Sequence, residues 1–390
     1  MNQEKVGAII IGGDYQGLGI LRSLARQDIP ICLLDNEVCI GMFSRYRKKF
    51  KKCPDPKNEV SFLDFLIDLA EKEGLKGWII FPTNDEIVYI LSKYRTELEN
   101  YYRIPTPSWD IVKFAYDKKL TYQLAQESGI DIPKTFYPRD LNKLQQLNLQ
   151  FPIIVKPSIK DHFYSKTRLK AIQVNNKREL TEVFKKTLSI IDGSEIMIQD
   201  LIPGGPEYLF SFCSLFRGGE VLAKITARRA RQHPMDFGHA STFVQTVNVP
   251  EIEEISKKIL KVMGYYGLSE VEFMLDPRDR KYKLLEINAR TWGWHTLAIR
   301  AGVDFPYLLY RDMLGEKVKN NSSKENIKWV RLITDIPTVI MEVLKRKMKI
   351  TDYLNSVKGE KEFAVLSMKD PLPFIVEFLM IPYLWKKRGF

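Results

Sequence analysis

Cysteine and histidine are scarce in this chain of 390 residues, which contains only four of each. The cysteines, Cys32, Cys39, Cys53 and Cys213, form no CxxC pair and have no histidine at zinc spacing. A disulfide framework and a structural zinc site are therefore not expected. The pattern is typical of reduced thiols in a cytoplasmic protein.

The sequence also lacks a leader-like segment and a membrane-length apolar run. The amino terminus, MNQEKVGAIIIGG, passes directly into a strand-like run without a basic region or a cleavage site, which predicts a cytoplasmic protein. The apolar stretch in the ending DPLPFIVEFLMIPYLWKKRGF is interrupted by Glu377 and by prolines. It is shorter than the about 20 residues that a helical span needs.

The positive charge is concentrated at the carboxyl end. The chain has a net charge of +12, and residues 319–390 hold 14 Lys and Arg against 8 Asp and Glu, which gives half of that total. Lys386, Lys387 and Arg388 could attach residues 371–390 to an anionic membrane, and docking on the main body is the open alternative. The side chains expected to enter the headgroup region are Phe374, Phe378, Tyr383 and Trp385.

The first third of the chain alternates strand-like and helix-like runs: VGAIIIGG, GILRSLARQD, ICLLD, FLDFLIDLAEKEG and WIIFP. This alternation predicts a doubly wound, Rossmann-like α/β domain over residues 1–110. Gly12, Gly13 and Gly17 follow the first strand and Asp35 ends the second. These residues either close the turn or bind a dinucleotide, and GGDYQG is not the GxGxxG motif. The polar run from Pro82 to Glu86 could line a cleft.

Beyond residue 110, helices and antiparallel strands mix, which predicts an α+β arrangement. Two features carry chemistry. The strand PIIVKP presents Lys156, a fixed cation for phosphate oxygens. The strand VEFMLD carries Glu272, and the next strand, KLLEINAR, carries Glu286, Asn288 and Arg290. Acids on one face of adjacent strands suit Mg²⁺.

Four segments in this order resemble the ATP-grasp superfamily, in particular its carboxylate–amine ligase branch, over roughly residues 1–318. They are AYDKKLTYQLAQESGIDIPKT, PIIVKP, EIMIQDLIPGGPEYLF and VEFMLDPRDRKYKLLEINAR. The resemblance implies a pre-ATP-grasp domain (1–110), a small lid subdomain (111–195), a carboxyl-terminal subdomain with a metal site (196–318) and a basic extension (319–390).

The resemblance also implies roles for individual residues. The expected metal ligands are Glu272, Glu286 and Asn288, and the expected catalytic cations are Arg290 and Lys156. Gln199 stands where the family more often has Glu. The expected ATP-binding set is Lys118, Lys156, Gln199, Asp200, Leu201, Ile202 and Glu207. The expected substrate-binding set is Arg228, Arg229, Arg231 and His295.

Some of these assignments have open alternatives. The run ARRARQHP could form a solvated edge strand instead of an anion site, and His295 is either a base for the amine or a packed histidine. The segment between Pro157 and Ala171, SIKDHFYSKTRLK, lacks the glycines of the family's phosphate loop. Its cations either replace backbone amides around the triphosphate or belong to a plain basic hairpin; they are Lys160, His162, Lys166 and Arg168.

The leading function implied is an ADP-forming ligase that uses ATP and Mg²⁺, with Mn²⁺ as an alternative ion. It would activate a small-molecule carboxylate as an acyl phosphate and join it to an amine. A non-catalytic ATP sensor or scaffold is the alternative, and a dinucleotide-dependent oxidoreductase is a third. We expect no nucleic-acid partner; a homodimer is an open possibility.

Overall fold

Three β-sheets organise the chain in a computed structural model, which describes residues 5–235, 238, 240–318 and 323–388. For residues 385–388 the description covers the backbone alone, so the side chains of Trp385, Lys386, Lys387 and Arg388 lie outside it. In chain order the described sheets have four, four and seven strands.

The first sheet is parallel and belongs to the amino-terminal unit. Its strands are β1 (Ala8–Ile11), β2 (Ile31–Asp35), β3 (Lys49–Lys52) and β4 (Ile79–Pro82), in the order β3-β2-β1-β4. The helices are α1 (Tyr15–Ala25), α2 (Glu59–Lys72), α3 (Asp85–Lys93) and α4 (Arg95–Leu98). Ile10 packs into one core cluster and Ile9 into another, because both faces of a doubly wound sheet are covered. The predicted doubly wound unit is confirmed.

The glycines after β1 close the turn into α1. Gly12 has a φ of +97°, and a Cβ there would collide with the Thr83 hydroxyl. The backbone N–H of Gly13 donates to the Asp35 carboxylate at 2.7 Å. Asp35 therefore stabilises the turn, as the simpler of the two interpretations requires.

A second, antiparallel sheet follows two linking helices. The helices of this part are α5 (Trp109–Tyr116), α6 (Lys118–Glu127), α7 (Leu141–Gln145), α8 (Lys160–Thr167) and α9 (Lys177–Leu188). The strands are β5 (Thr135–Phe136), β6 (Ile153–Pro157), β7 (Ile172–Val174) and β8 (Ile196–Asp200), in the order β5-β8-β6-β7.

The segment after Pro157 forms the helix α8, so it is neither a loop nor a basic hairpin. That its cations surround the triphosphate stays a prediction. Phe163 is the buried residue of α8 and packs against Ile153 and Val155 of β6. This contact holds the helix, whose other residues are mostly polar, against the second sheet. Arg168 ends the helix in the left-handed conformation, with a φ of +61°.

The third sheet has the order β13-β12-β9-β10-β11-β14-β15, with only the last pair parallel. Its strands are β9 (Leu209–Arg217), β10 (Glu220–His233), β11 (Ala240–Thr246), β12 (Gly267–Asp276), β13 (Lys281–Asn288), β14 (Lys328–Val330) and β15 (Lys361–Phe363). The remaining helices are α10 (Pro250–Met263), α11 (Thr296–Arg300), α12 (Phe305–Met313), α13 (Leu332–Leu344), α14 (Ile350–Ser356), α15 (Leu372–Leu379) and α16 (Ile381–Arg388).

Parts of the basic extension pack against the rest of the protein. β14 and β15 continue the third sheet, and Trp329 is fully buried in the core shared with the first sheet. Asp370 accepts from Arg22 of α1 at 2.9 Å in a buried ion pair. The four-part division of the chain stays a prediction. Within the described part of the chain, every helix is too short or too polar to cross a membrane.

Candidate active site

A cavity of about 630 Å³ lies between the second and third sheets and is bordered by α3 of the first unit. Strands β6 and β8 form one wall, and β10, β12 and β13 form another. Charged side chains of both signs line it: Asp85, Lys118, Lys156, Lys160, Asp161, Lys170, Asp200, Arg229, Glu270, Glu272, Glu286 and Arg290. The cavity therefore collects most of the charged residues assigned to the site from sequence.

Strand pairing places the acidic groups opposite one another. In the antiparallel register of β12 and β13, Glu272 pairs with Glu286 and Glu270 pairs with Asn288. Because side chains two residues apart on a strand share a face, all four point toward the same side of the sheet. The two-residue alternation of acids in the sequence therefore gathers these side chains at one place on the sheet.

Each of these carboxylates is held by a neighbouring donor. Arg229 on β10 donates to Glu272 at 3.0 Å, and the Asn288 amide donates to Glu272 at 3.1 Å. Lys118, the first residue of α6, forms an ion pair of 2.7 Å with Glu286. Cations and carboxylates thus alternate along the wall of the cavity.

A second ion-pair group joins the amino-terminal unit to the cavity. Asp85, in the first turn of α3, accepts from Arg290 Nε at 2.6 Å and from Lys160 Nζ at 2.7 Å. Burial raises the pKa of Asp85, but the two cations outweigh it and hold the pKa well below its usual range. Asp85 comes from the polar run after β4 that the sequence predicted to line a cleft. It fixes the position of Arg290.

Lys156 projects from β6 toward α6. Its ammonium donates to the Tyr122 hydroxyl at 3.0 Å, and that hydroxyl donates to the backbone carbonyl of Leu285. This chain of hydrogen bonds holds a cation on a rigid strand, which is the arrangement that suits a phosphate oxygen.

Burial and neighbouring charges shift three pKa values in the cavity. Burial alone would raise the pKa of Glu286, but Lys118 and Lys170 lower it below its usual range. Burial, with Glu272 close by, raises the pKa of Glu270 to about 8. Burial lowers the pKa of Lys170 to about 8. Perturbed groups of this kind are concentrated at functional sites.

The expected ATP-binding residues at the end of β8 and directly after it border the same cavity. Gln199, Asp200, Leu201 and Ile202 line it, and the Gln199 amide donates to the Thr135 hydroxyl at 2.8 Å. Glu207 does not line the cavity. It is exposed on the turn Pro206–Tyr208, directly after lining residues, and so lies at the rim.

The structure separates Arg231 and His295 from the cavity lining, which corrects their sequence assignments. Arg231 is buried and donates to both carboxylate oxygens of Asp335, at 2.8 and 2.9 Å, because the strand β10 has irregular register on either side of it. His295 is fully buried against Gly19 of α1 and contacts the Trp292 carbonyl through Nδ1 at 3.0 Å. Burial lowers the pKa of His295 to about 4, so it is a neutral core histidine.

The other cations assigned from sequence divide between the cavity and the surface. Arg228 is half-buried on β10 and does not line the cavity, unlike its neighbour Arg229. In the segment of α8, Lys160 lines the cavity. The other three point elsewhere: His162 contacts Glu195, Lys166 donates to the Ile190 carbonyl, and Arg168 is exposed.

Three charged residues of the cavity were not assigned from sequence, namely Asp161, Lys170 and Glu270. Glu270 lies two positions before Glu272 on the same strand face, and this spacing was the signal for it. Lys170 precedes β7, and its ammonium donates to the Gly238 carbonyl at 3.1 Å. Only the fold brings that lysine to the cavity.

The acidic wall offers the oxygen ligands that Mg²⁺ prefers, namely the carboxylates of Glu270, Glu272 and Glu286 and the amide oxygen of Asn288. Among the described residues, His, Cys, Asp and Glu side chains nowhere assemble in threes as a ready metal cluster. Glu272 forms an ion pair with Arg229, and Glu286 forms one with Lys118. The donor chemistry fits the ion, and the metal assignment stays a prediction.

A small antiparallel sheet that carries Lys156 faces a larger sheet that carries the acids of β12 and β13 across this cavity, which is the arrangement that the resemblance to the ATP-grasp superfamily implies. A family model described as "ATP-grasp in the biosynthetic pathway with Ter operon" matches residues 194–336. The chain therefore contains an ATP-grasp domain, and the prediction of this fold is confirmed.

Relatives and solved structures of the same class cover most of the chain. D-aspartate ligase of Enterococcus faecium is 23% identical over 315 residues, which are 74% of this chain and 72% of the relative. The carbamoyl phosphate synthase large chain of Thermoanaerobacter pseudethanolicus is 22% identical over 76% of this chain, which spans only 28% of that protein. The crystal structure of L-amino acid ligase from Bacillus licheniformis has a TM-score of 0.61 at 16% identity and covers 80% of this chain and 75% of its own.

Proposed function

We propose that this chain is an ATP- and Mg²⁺-dependent ligase that activates a carboxylate as an acyl phosphate and joins it to an amine. The observation that carries the proposal is one cavity that brings Lys118, Lys156 and Arg290 together with the acids of β12 and β13. Ligases that join carboxylates to amines among the relatives support it.

In the first step, a carboxylate oxygen attacks the γ-phosphorus of ATP and ADP leaves. Lys118 and Lys156 would hold phosphate oxygens, and Arg290, fixed by Asp85, would stabilise the charge that develops between phosphate and carboxylate. Glu272, Glu286 and Asn288 would hold Mg²⁺, or Mn²⁺, which when bound neutralises phosphate charge.

In the second step, the amine nitrogen attacks the carbonyl carbon of the acyl phosphate. The C–O bond to phosphate breaks, phosphate leaves with that oxygen, and the nitrogen loses a proton. Arg229, which lines the cavity beside Glu272, would bind the anionic substrate. Since D-aspartate ligase and L-amino acid ligase are similar to this chain, we propose that an amino acid is one of the two substrates.

The test is a screen for ADP release with Mg²⁺-ATP and pooled carboxylates and amines, amino acids included. We expect ADP release that requires one member of each pool and is lost in Glu272→Gln. ATP binding without such release in any pool would favour the non-catalytic sensor, and binding of NAD in place of ATP would favour the oxidoreductase. A homodimer and contact of residues 371–390 with a membrane stay predictions.

A further inference from the structure

Exposed apolar side chains are concentrated at the carboxyl end of the protein. Among the described residues, sixteen large apolar side chains are exposed, and twelve of them lie between Ile336 and Tyr383. Scattered single apolar residues are normal on a protein surface, whereas such a concentration marks an interaction site.

The helix α13 buries mainly polar side chains and exposes apolar ones. Its buried side carries Thr334, Asp335, Thr338 and Glu342 beside one apolar residue, Val339. Its exposed side carries the apolar residues Ile336, Ile340, Met341 and Leu344, of which Leu344 is 77% exposed. A helix on the surface of a globular protein normally buries its apolar stripe, so the solvent-facing stripe of α13 requires another explanation.

Hydrogen bonds to buried partners hold the polar side of α13 against the protein. Asp335 forms its two hydrogen bonds with Arg231 of β10, and both side chains are almost fully buried. Arg231 also donates to the Ser356 hydroxyl at the end of α14. These internal partners fix α13 with its apolar stripe outward.

The two neighbouring helices continue the pattern. In α14, Ile350 and Leu354 are exposed, while Tyr353 packs over the Arg231 guanidinium at 5.2 Å. In α15, Glu377 is buried against Arg331 at 3.1 Å.

The exposed side of α15 is again apolar, with Leu372, Ile375, Phe378 and Leu379. Phe378 is the one aromatic residue of this set that the sequence had assigned to the headgroup region, whereas Phe374 packs on the core. Two buried arginines therefore connect three helices that each turn apolar side chains to the outside.

The charge beside these helices identifies the occupant. The turn between α13 and α14 presents Lys345, Arg346, Lys347 and Lys349, all exposed, directly between Leu344 and Ile350. Lys345 lies 3.4 Å from Glu342, and the acids Asp335 and Glu377 are buried in internal ion pairs. Among the described residues of the three helices, Asp352 of α14 is the exposed acid, and it accepts from the backbone N–H of Lys349 at 3.3 Å. The four exposed cations of the turn outnumber it, so the exposed charge of this region is positive.

We propose that the exposed apolar sides of α13, α14 and α15, with the basic turn 345–349, bind the surface of an anionic lipid membrane. Apolar side chains beside lysine and arginine are the combination that inserts into the interface of an anionic bilayer. A second copy of the chain is a poorer occupant, because a twofold contact brings the same patch of each copy to the interface, including its basic turn.

The test is flotation of the full-length protein with vesicles of phosphatidylcholine alone and of phosphatidylcholine with phosphatidylglycerol. We expect binding to the anionic vesicles alone, weakened at high salt. Since each basic residue near such a surface contributes about fivefold in affinity, replacing Lys345, Arg346, Lys347 and Lys349 with Gln should weaken binding at least about tenfold.

Matched controls separate this face from the net charge of the protein. The four exposed cations of α9, Lys177, Arg178, Lys185 and Lys186, are replaced with Gln in the charge control and should leave binding unchanged.

The apolar test is Ile340→Asp with Leu344→Asp, and its control is Val60→Asp with Val262→Asp, at exposed positions on other helices. Melting curves verify folding of every variant. Failure of the wild type to float overturns the proposal, as does equal loss in test and control. The proposal is also overturned if the variant Ile340→Asp with Leu344→Asp still floats but changes from dimer to monomer in light scattering, because the apolar surface would then bind a second copy of the chain.

Discussion

Arg231 gives the sharpest contrast between a substrate role and a structural one. Its guanidinium lies 2.8 and 2.9 Å from the two Asp335 oxygens, with side-chain exposures of 4% and 0%. Thr242 also donates to Asp335 at 2.9 Å. Removing one member of such a buried pair leaves an uncompensated charge and costs about 3–5 kcal/mol. We therefore expect Arg231→Met to lower the free energy of unfolding by that amount.

The double variant Arg231→Met with Asp335→Leu should regain most of the loss, because apolar residues of similar volume often replace a buried ion pair without cost. Arg178→Met is the control, since Arg178 pairs with Glu182 while both side chains are exposed, and its loss should stay within about 1 kcal/mol. The assay is urea unfolding followed by tryptophan fluorescence, together with the KM for each substrate. Normal stability with a raised KM in Arg231→Met would show that Arg231 binds substrate and is not a structural residue.

Three further predictions concern the cavity. Lys156→Ala should weaken ATP binding by about 1.5–3 kcal/mol in calorimetry, the range for a charge-assisted hydrogen bond, and an unchanged dissociation constant would exclude the role. Glu286→Gln and Asn288→Ala should each abolish Mg²⁺-dependent turnover with an unaltered circular dichroism spectrum, and full activity in either variant would count against the metal site. Burial lowers the pKa of Lys170 to about 8, so its ammonium is charged below pH 8 and neutral above it. If Lys170 holds a phosphate oxygen of ATP, ATP affinity should fall by up to about tenfold per pH unit above pH 8. Lys170→Met should remove this slope, and its absence in the wild type would exclude a role of Lys170 in ATP binding.

Local patterns explain what the sequence could predict. Apolar runs separated by amphipathic helices led to the doubly wound unit, and the two-residue alternation on β12 and β13 led to the facing pair Glu272 and Glu286. Both depend only on the period of a helix or a strand. The order of the four segments that resemble the ATP-grasp superfamily predicted the class of the fold.

Contacts between distant segments explain what the sequence could not predict. Arg231 finds its partner Asp335 over a hundred residues later, and His295 is buried because Gly19 of α1 admits it. Neither pairing leaves a periodic trace in the sequence. The strands β14 and β15, of three residues each, are also too short to produce one.

The acyl phosphate is the central intermediate of the proposed reaction, and transfer of a labelled oxygen atom to phosphate tests it most directly. The measurement uses the carboxylate that gives the highest ADP release, labelled with ¹⁸O in both carboxyl oxygens, and mass analysis of the released phosphate. If a carboxylate oxygen attacks the γ-phosphorus and the amine then displaces phosphate, each phosphate carries one ¹⁸O atom. Released phosphate without the label, or release of AMP and pyrophosphate in place of ADP, would contradict the account.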